Sequence, residues 1–316
     1  MDLSSRLAAI PGLAINEEVP LASYTRFAIG GPARLLVDAS TEHALAGAIA
    51  ILEETGSRYT VIGGGTNLLA SDLGFPDVVL RYTAVIIEVD GTMVRAGAGA
   101  VLQDLVDVTI SWGLRGLETM TGIPGWVGGA VYGNAGAYGH SIDERIQSVR
   151  FFDGVGVREI GSAECAFHYR ESIFKRNKNW IVLAVVLVLD RAEPSDLKRV
   201  ADEILRIRNE KYPPSMCCAG SIFKNLLLAE IPEPARSEVP ERVIREGKVP
   251  SAYFLEQAGA KGLVKGGVRV ADYHANLIYN SGGGTARQVR ELIGELKRRV
   301  SDRFGLELEE EIQYLE

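Results

Sequence analysis

The chain has 316 residues, 47% hydrophobic and 24% charged, with a formal net charge of −7. That length accommodates two or three domains and a sizeable core, and the acidic balance argues against a nucleic-acid or anionic-membrane binder. The opening "MDLSSRLAAIPG" lacks the basic end and apolar core of a signal peptide, and the longest apolar run, "WIVLAVVLVL", is too short to cross a bilayer. Three cysteines, two of them adjacent at Cys217 and Cys218, make no disulfide framework, and no Cys/His spacing reads as a metal site. The expected compartment is a reducing cytoplasm.

Strand-like and helix-like segments alternate from the start, which predicts a mixed architecture of helices and strands. "LLVDAS" predicts a strand, followed by a helix from an N-cap at Thr41 through Leu45, Ala48, Ile49 and Leu52 to Gly56. The strand "RYTVI" runs straight into three consecutive glycines, Gly63, Gly64 and Gly65, and a further run begins near Val78. A hairpin turning at Asp90-Gly91 leads into "RAGAGA", and Leu102, Leu105, Val106 and Ile110 mark a second amphipathic helix. Another hairpin turns at Asp153-Gly154, ahead of a buried strand over 180–189. A helix from Ser195, with Leu197, Val200, Ala201, Ile204 and Leu205, ends in the stop signal "KYPP".

The last third carries a capping box, Thr285 with Gln288, then an apolar face of Val289, Leu292, Ile293, Leu296 and Val300 closed by Gly305. In the final strand, "LELEEEIQYL", period-two alternation puts Leu306, Leu308, Ile312 and Tyr314 on one face and Glu309 and Glu311 on the other. Boundaries fall near residues 76 and 212, giving segments 1–76, 77–212 and 213–316.

Glycine this dense costs backbone entropy, so something must need the bare main chain. No G-x-x-x-x-G-K-[ST] stretch exists, and Leu68 and Leu102 stand where a dinucleotide fingerprint needs its last glycine. A third glycine-rich stretch, "GIPGWVGGAVYGNAGAYG", is too long for one turn. Three such loops suit a large ligand held by main-chain amides from several places.

"TRFAIGGPA" (25–33), "VIGGGTNLLASD" (61–72), "GLETMTGIPGWVGGAVYGNAGAYG" (116–139), "YRESIFK" (169–175), "AGSIFKN" (219–225) and "LELEEEI" (306–312) follow in that order. The ordered set resembles the successive motifs of the UDP-N-acetylenolpyruvoylglucosamine reductase family, flavoenzymes that complete UDP-N-acetylmuramate in bacterial cell-wall synthesis. The likeness covers nearly the whole chain from Thr25. It implies an α+β protein: a two-subdomain FAD-binding fold of the vanillyl-alcohol-oxidase (PCMH) type, over 1–76 and 77–212, plus a C-terminal α/β substrate domain over 213–316. The last strand, carrying Glu311, is expected to return to the FAD-binding part. The short connection from Val188 to Ser195 suits the shorter family type.

The resemblance also implies roles. FAD would lie along Gly63, Gly64, Gly65, Thr66, Asn67 and Leu68, with Gly122, Gly125, Gly128, Gly129, Asn134 and Gly136 lining the rest of it. NADPH would reduce the flavin, and hydride would then reach the terminal vinyl carbon of the enolpyruvyl ether, leaving an enolate to be stabilised and protonated. Arg170 is the implied stabiliser, Ser221 the proton donor and Glu311 the catalytic carboxylate, with Glu309 the alternative in that strand. Tyr169, Lys211, Lys224 and Asn225 would contact the UDP-sugar. Leu226 stands where the family usually has proline. His168 and His274 receive no catalytic role, and no metal, nucleic-acid partner, membrane insertion or oligomer is expected. Two other readings remain open at this level: another FAD oxidoreductase of the same fold acting on an alcohol or lactone, and a non-enzymatic binding module.

Overall fold

A computed structural model describes residues 2–316. By contact density the chain forms two compact units, each assembled from separated segments. The first comprises residues 1–19, 33–64 and 76–210; the second comprises 20–32, 65–75 and 211–316. Among the described residues, no helix is long and apolar enough to cross a membrane.

In the first unit a four-stranded sheet runs in the order Leu13–Pro20, Pro32–Ala39, Phe75–Tyr82, Tyr59–Val61. A five-stranded antiparallel sheet has the order Val157–Gly161, Ile146–Phe152, Ile181–Val188, Met93–Gly97, Ile87–Asp90. The strand Ile181–Val188 is central in it, which is why the sequence there is continuously apolar instead of alternating: Leu183, Val185 and Leu187 are buried on one side while Val182 and Ala184 are buried on the other. The helix Glu42–Glu54 is capped by Thr41, whose side chain accepts from the Ala44 amide, and buries Leu45, Ala48, Ile49 and Leu52 as its periodicity predicts. Helices Leu102–Ser111 and Val127–Tyr132 complete the same core. Both hairpins turn where expected, at Gly91 and Gly154 with positive φ, and the Asp153 carboxylate accepts from the Val155 and Gly156 amides. In the helix Pro194–Lys211, Leu197, Ala201 and Ile204 are buried, whereas Val200 and Leu205 stay largely exposed.

The second unit is built on a four-stranded antiparallel sheet, ordered Cys217–Ser221, His274–Asn280, Val268–Ala271, Val264–Lys265. Helices Ser251–Gln257 and Ala286–Phe304 share its core with Phe27, Ile29 and Leu69, which come from the early segments. These segments enter through main-chain pairing. The strand Gln313–Leu315 lies parallel to Leu68–Ala70, the Ser71 amide donates to the Leu315 carbonyl at 2.9 Å, and the Gly31 amide donates to the Ser71 carbonyl at 2.8 Å.

The carboxyl-terminal stretch departs from the alternation expected of it. Leu306, Leu308 and Ile312 are buried, but Tyr314 is 36% exposed and Leu315 takes the buried position. The reason is a break in regular strand structure. Residues 306–309 are unpaired as strand, Glu310 makes an isolated bridge to Phe223, and pairing resumes only at Gln313, so the phase slips between the two stretches. Tyr314 instead donates its hydroxyl to the Glu310 carboxylate and lies under the Arg290 guanidinium, 4.1 Å from the ring centroid.

The helix Ala286–Phe304 shows how completely an early segment is tied into this unit. Its unpaired first-turn amides all find side-chain acceptors: Gln288 donates to Thr285 Oγ1, while Ala286 and Arg287 donate to the two carboxylate oxygens of Asp72 at 2.7 and 3.0 Å. Asp72 also sets a negative charge on the helix's positive end. Replacing it, Asp72→Ala, is expected to destabilise the protein by about 1–2 kcal/mol, the usual worth of a cap plus a dipole contact. Denaturant unfolding followed by circular dichroism measures this, and an unchanged midpoint would show the cap to be dispensable.

Candidate active site

In the first unit the stretch 125–128 pairs with 98–102: the Leu102 amide donates to the Gly125 carbonyl, Val127 to Ala100 and Gly128 to Ala98, at 2.8–2.9 Å. This brings the helix Val127–Tyr132 up to the end of the strand Tyr59–Val61, where Gly63 and Gly64 follow. Gly64 packs against the Trp126 indole; a Cβ there would lie 3.0 Å from its Cδ1. Trp126 in turn carries the Arg81 guanidinium 5.3 Å from its ring centroid, and Arg81 is held by Asp38 through two bonds of 2.6 Å.

Gly63 and Gly129 are different. A Cβ on Gly129 would meet no protein atom within 4 Å, and one on Gly63 would have as its nearest neighbour the Gly129 amide nitrogen, at 4.0 Å. Protein packing does not require glycine at either position. Bare main chain facing open space, with an amide on one side, is a cradle for an anionic group such as a pyrophosphate. Gly65, in the second unit, has a packing reason: its φ is +68°, and a Cβ would lie 1.7 Å from the Tyr24 carbonyl oxygen.

The loop beyond that helix is tied to the "YRES" motif. Asn134 is buried, and its side chain is committed to the protein, donating to the His168 carbonyl at 3.0 Å. Arg170 donates from its guanidinium to the Gly136 carbonyl at 2.9 Å and stacks on Tyr169 at 5.1 Å. Its backbone has φ +58°, uncommon for a residue with a side chain, and the neighbours hold it there. Lys175 donates to the Arg170 carbonyl at 2.9 Å, and Ser172, fully buried, donates to the Tyr132 carbonyl at 2.7 Å while capping the helix Ile173–Arg176. These bonds together hold Arg170 in a fixed, left-handed backbone pose.

In the second unit Ser221 ends the strand Cys217–Ser221 just after Gly220, whose φ of +77° makes a bulge: Cys218 faces Tyr279, yet Ser221 faces Leu277. Its hydroxyl lies 3.1 Å from the Tyr212 hydroxyl. The two residues that follow are clamped by Asn276, buried at 3% exposure, whose carbonyl and side-chain amide bond the Ile222 and Phe223 main chain and the Ser251 hydroxyl. On the other side runs the acidic stretch. The Glu311 amide donates to the Ile222 carbonyl at 2.7 Å, and the Glu311 carbonyl accepts from Asn67 Nδ2 at 3.0 Å. The Lys224 amide donates to the Glu309 carbonyl, and the buried Lys224 ammonium pairs with the Glu309 carboxylate at 2.6 Å. Ser221, Lys224, Asn67, Glu309 and Glu311 are thus drawn together, although they come from three distant parts of the sequence. Lys211 is exposed, with its ammonium 5.1 Å from the Tyr212 ring centroid.

His274 packs edge-on against Tyr212, at 6.3 Å between centroids, and its burial with Lys211 and Lys261 nearby pushes its pKa from 6.5 down to about 3. The imidazole is therefore neutral at physiological pH. Burial likewise pushes the Cys165 thiol up to about 12, which leaves it protonated and inert. Sequence reasoning missed Tyr212, Asn276 and Trp126. Asn276 carried a usable signal, a lone amide inside the apolar run "HANLIY"; Tyr212 and Trp126 carried none.

A family model described as "UDP-N-acetylenolpyruvoylglucosamine reductase, C-terminal domain" matches residues 212–315, and one described as "FAD binding domain" matches residues 33–160. The UDP-N-acetylenolpyruvoylglucosamine reductase of Solibacter usitatus is 58% identical over 310 residues, covering 98% of this chain and 99% of its own. That of Rubrobacter xylanophilus is 36% identical over 302 residues, with 95% of each chain covered. The crystal structure of the Thermus caldophilus enzyme of that name superposes with a TM-score of 0.75 at 31% identity, over 96% of this chain and 100% of its own.

The contrast between Gly129 and Gly65 supplies a test of the cradle. Gly129 lies in a helix, where alanine is better by about 1 kcal/mol. Gly129→Ala is therefore expected to leave the FAD-free protein as stable as before, or slightly more so, while weakening FAD binding at least tenfold. Gly65→Ala is expected to unfold or strongly destabilise the protein with or without FAD. Thermal unfolding of the apoprotein together with flavin titration separates the two; undiminished FAD affinity in Gly129→Ala would remove that glycine from the cofactor site.

Proposed function

The chain belongs to the UDP-N-acetylenolpyruvoylglucosamine reductase family, and on that premise we propose that Ser221, Glu311 and Arg170 carry out the proton and charge chemistry of its reaction. The protein is an FAD-dependent oxidoreductase that reduces UDP-N-acetylenolpyruvoylglucosamine to UDP-N-acetylmuramate with NADPH as hydride donor, in peptidoglycan precursor synthesis. When bound, FAD would supply the relay of hydride from NADPH to the terminal vinyl carbon of the enolpyruvyl ether. The open main chain at Gly63 and Gly129 fits its pyrophosphate. Thr66, Asn67 and Leu68, with Gly64, Gly65, Gly122, Gly125, Gly128, Asn134 and Gly136, complete that site, Asn134 by shaping the loop because its side chain is already engaged.

Hydride addition at the terminal carbon leaves an enolate on the substrate carboxylate, and the adjacent carbon then needs a proton. Ser221 supplies it. The observation that carries this reading is the bond from the Glu311 amide to the Ile222 carbonyl, which fixes the acidic stretch beside the serine. Glu311 assists at the enolate; Glu309 does not, because its carboxylate is spent on Lys224. Arg170 offers its guanidinium to the substrate carboxylate, for which a planar, permanently charged fork is suited. Tyr169, Lys211, Lys224 and Asn225 contact the UDP-sugar. In this scheme segments 1–76 and 77–212 act as FAD-binding subdomains and 213–316 as the substrate domain, in a monomer of the bacterial cytoplasm.

Reduction of the flavin by NADPH requires no proton delivered to carbon, whereas its reoxidation by substrate does. Ser221→Ala is therefore expected to keep the first rate and lose the second by about 10²–10⁴-fold or more, with Ser221→Cys recovering part. Glu311→Gln should resemble Ser221→Ala, and Glu309→Gln should be milder, acting only through Lys224. Stopped-flow absorbance at the flavin band reads both halves. Equal slowing of both halves in Ser221→Ala, or unimpaired reoxidation, would end the proton-donor assignment.

A further inference from the structure

We infer that Tyr212 is a positioning residue for the proton transfer, orienting the Ser221 hydroxyl and passing a proton to it as it gives up its own; this rests on Ser221 being the donor. A serine hydroxyl is a weak acid with a freely rotating hydrogen. To protonate carbon it must point that hydrogen at the substrate, and the oxygen it leaves behind must not remain an alkoxide. A partner that donates to Oγ meets both needs at once.

Tyr212 is placed to be that partner. Its hydroxyl is 3.1 Å from Ser221 Oγ, within hydrogen-bonding distance. Of the two hydroxyls the phenol is the stronger acid, so it donates and the serine oxygen accepts, which leaves the serine hydrogen to turn elsewhere. The phenol is not free to wander. Its ring packs on the small apolar cluster of Cys218, Ala271 and Leu277, and the His274 ring meets it edge-on at 82°. The backbone beside it is pinned too: the Tyr273 hydroxyl donates to the Lys211 carbonyl at 2.9 Å, and Pro213 limits the conformations of Tyr212 itself. Lys211 holds its ammonium 5.1 Å from the Tyr212 ring centroid, a further contact that fixes the ring.

The step balances. The Ser221 O–H bond breaks as its proton forms the new C–H bond on the enolate carbon. The electron pair left on Oγ takes the Tyr212 hydroxyl proton, and the Tyr212 oxygen is reprotonated from solvent. One solvent proton is consumed, and both side chains are restored.

The test uses the full-length FAD-loaded enzyme with NADPH and UDP-N-acetylenolpyruvoylglucosamine. Tyr212→Phe keeps the ring and its packing, so flavin content and the rate of flavin reduction by NADPH should be unchanged. Reoxidation by substrate should slow by roughly 10- to 100-fold, less than the loss of the acid itself. Because Tyr212 acts only through Ser221, the double variant Ser221→Ala/Tyr212→Phe should be no slower than Ser221→Ala. In mixtures of light and heavy water, the wild-type reoxidation rate should follow a bowed curve, the mark of two protons in flight, and Tyr212→Phe should follow a straight line. The inference is overturned by full-speed reoxidation in Tyr212→Phe, by additive losses in the double variant, or by a straight line in the wild type. If Ser221→Ala is slow and Tyr212→Phe is not, only the role of Tyr212 falls. If Ser221→Ala itself reoxidises normally, the donor assignment falls and this one with it.

Discussion

Main chain packed directly on main chain is the constraint from which the second unit is built. A Cβ on Gly31 would lie 2.3 Å from the Asp72 carbonyl oxygen, one on Gly74 would lie 1.9 Å from that of Pro32, and Gly65 stands in the same relation to Tyr24. Three close approaches knit residues 20–32 to 65–75 so tightly that the two behave as one layer. Only glycine permits such spacing, because any side chain would force the backbones apart. The layer then offers Leu68–Ala70 to the terminal strand and Asp72 to the helix Ala286–Phe304. The three consecutive glycines thus differ in what surrounds them. Gly65 belongs to this packing, whereas no protein atom crowds Gly63.

In the proposed scheme the chemistry sits where the regular structure gives way. Ser221 follows a bulge, Arg170 has a left-handed backbone, and Glu311 lies in the gap between an isolated bridge and the last strand. Each irregularity is held by specific bonds from buried neighbours: Asn276 beside Ser221, Ser172 and Lys175 around Arg170, Asn67 against the Glu311 carbonyl. A regular strand would have pointed these side chains by its own pleat. Departures from it allow them to be aimed individually, and the surrounding network supplies the rigidity that the pleat would have given.

What could be read from the sequence was what short-range physics determines. The capping box at Thr285, the apolar face to Val300 and the left-handed Gly305 all lie within one helix, so periodicity and caps sufficed. The hairpins at Gly91 and Gly154 were legible for the same reason. Ser221, Arg170 and Glu311 carry no local signal of catalysis, and only the ordered motifs single them out. The terminal alternation misled at Tyr314 because the phase slip depends on Asn67 and Phe223, which are remote in sequence. Asp72 as a helix cap and the Tyr212–Ser221 contact were invisible for a related reason: the first needs a partner some two hundred residues away, and the second needs a bulge at Gly220 to bring a residue nine positions back into reach.

The pairing of Leu68–Ala70 with Gln313–Leu315 sets an order on biosynthesis. Asn67 and Glu311, bonded across this junction, are separated by 244 positions. A chain made from its amino terminus presents the early layer long before the last strand exists, and loop closure over such a span carries an entropic cost that local elements do not. Through most of translation the edge of Leu68–Ala70 lacks its parallel partner, while Phe27, Ile29 and Leu69 await the helices that will cover them. Exposed edges and apolar side chains of this kind invite association with other nascent chains. The second unit therefore closes only once residues 313–315 have left the ribosome, long after the early layer has been made.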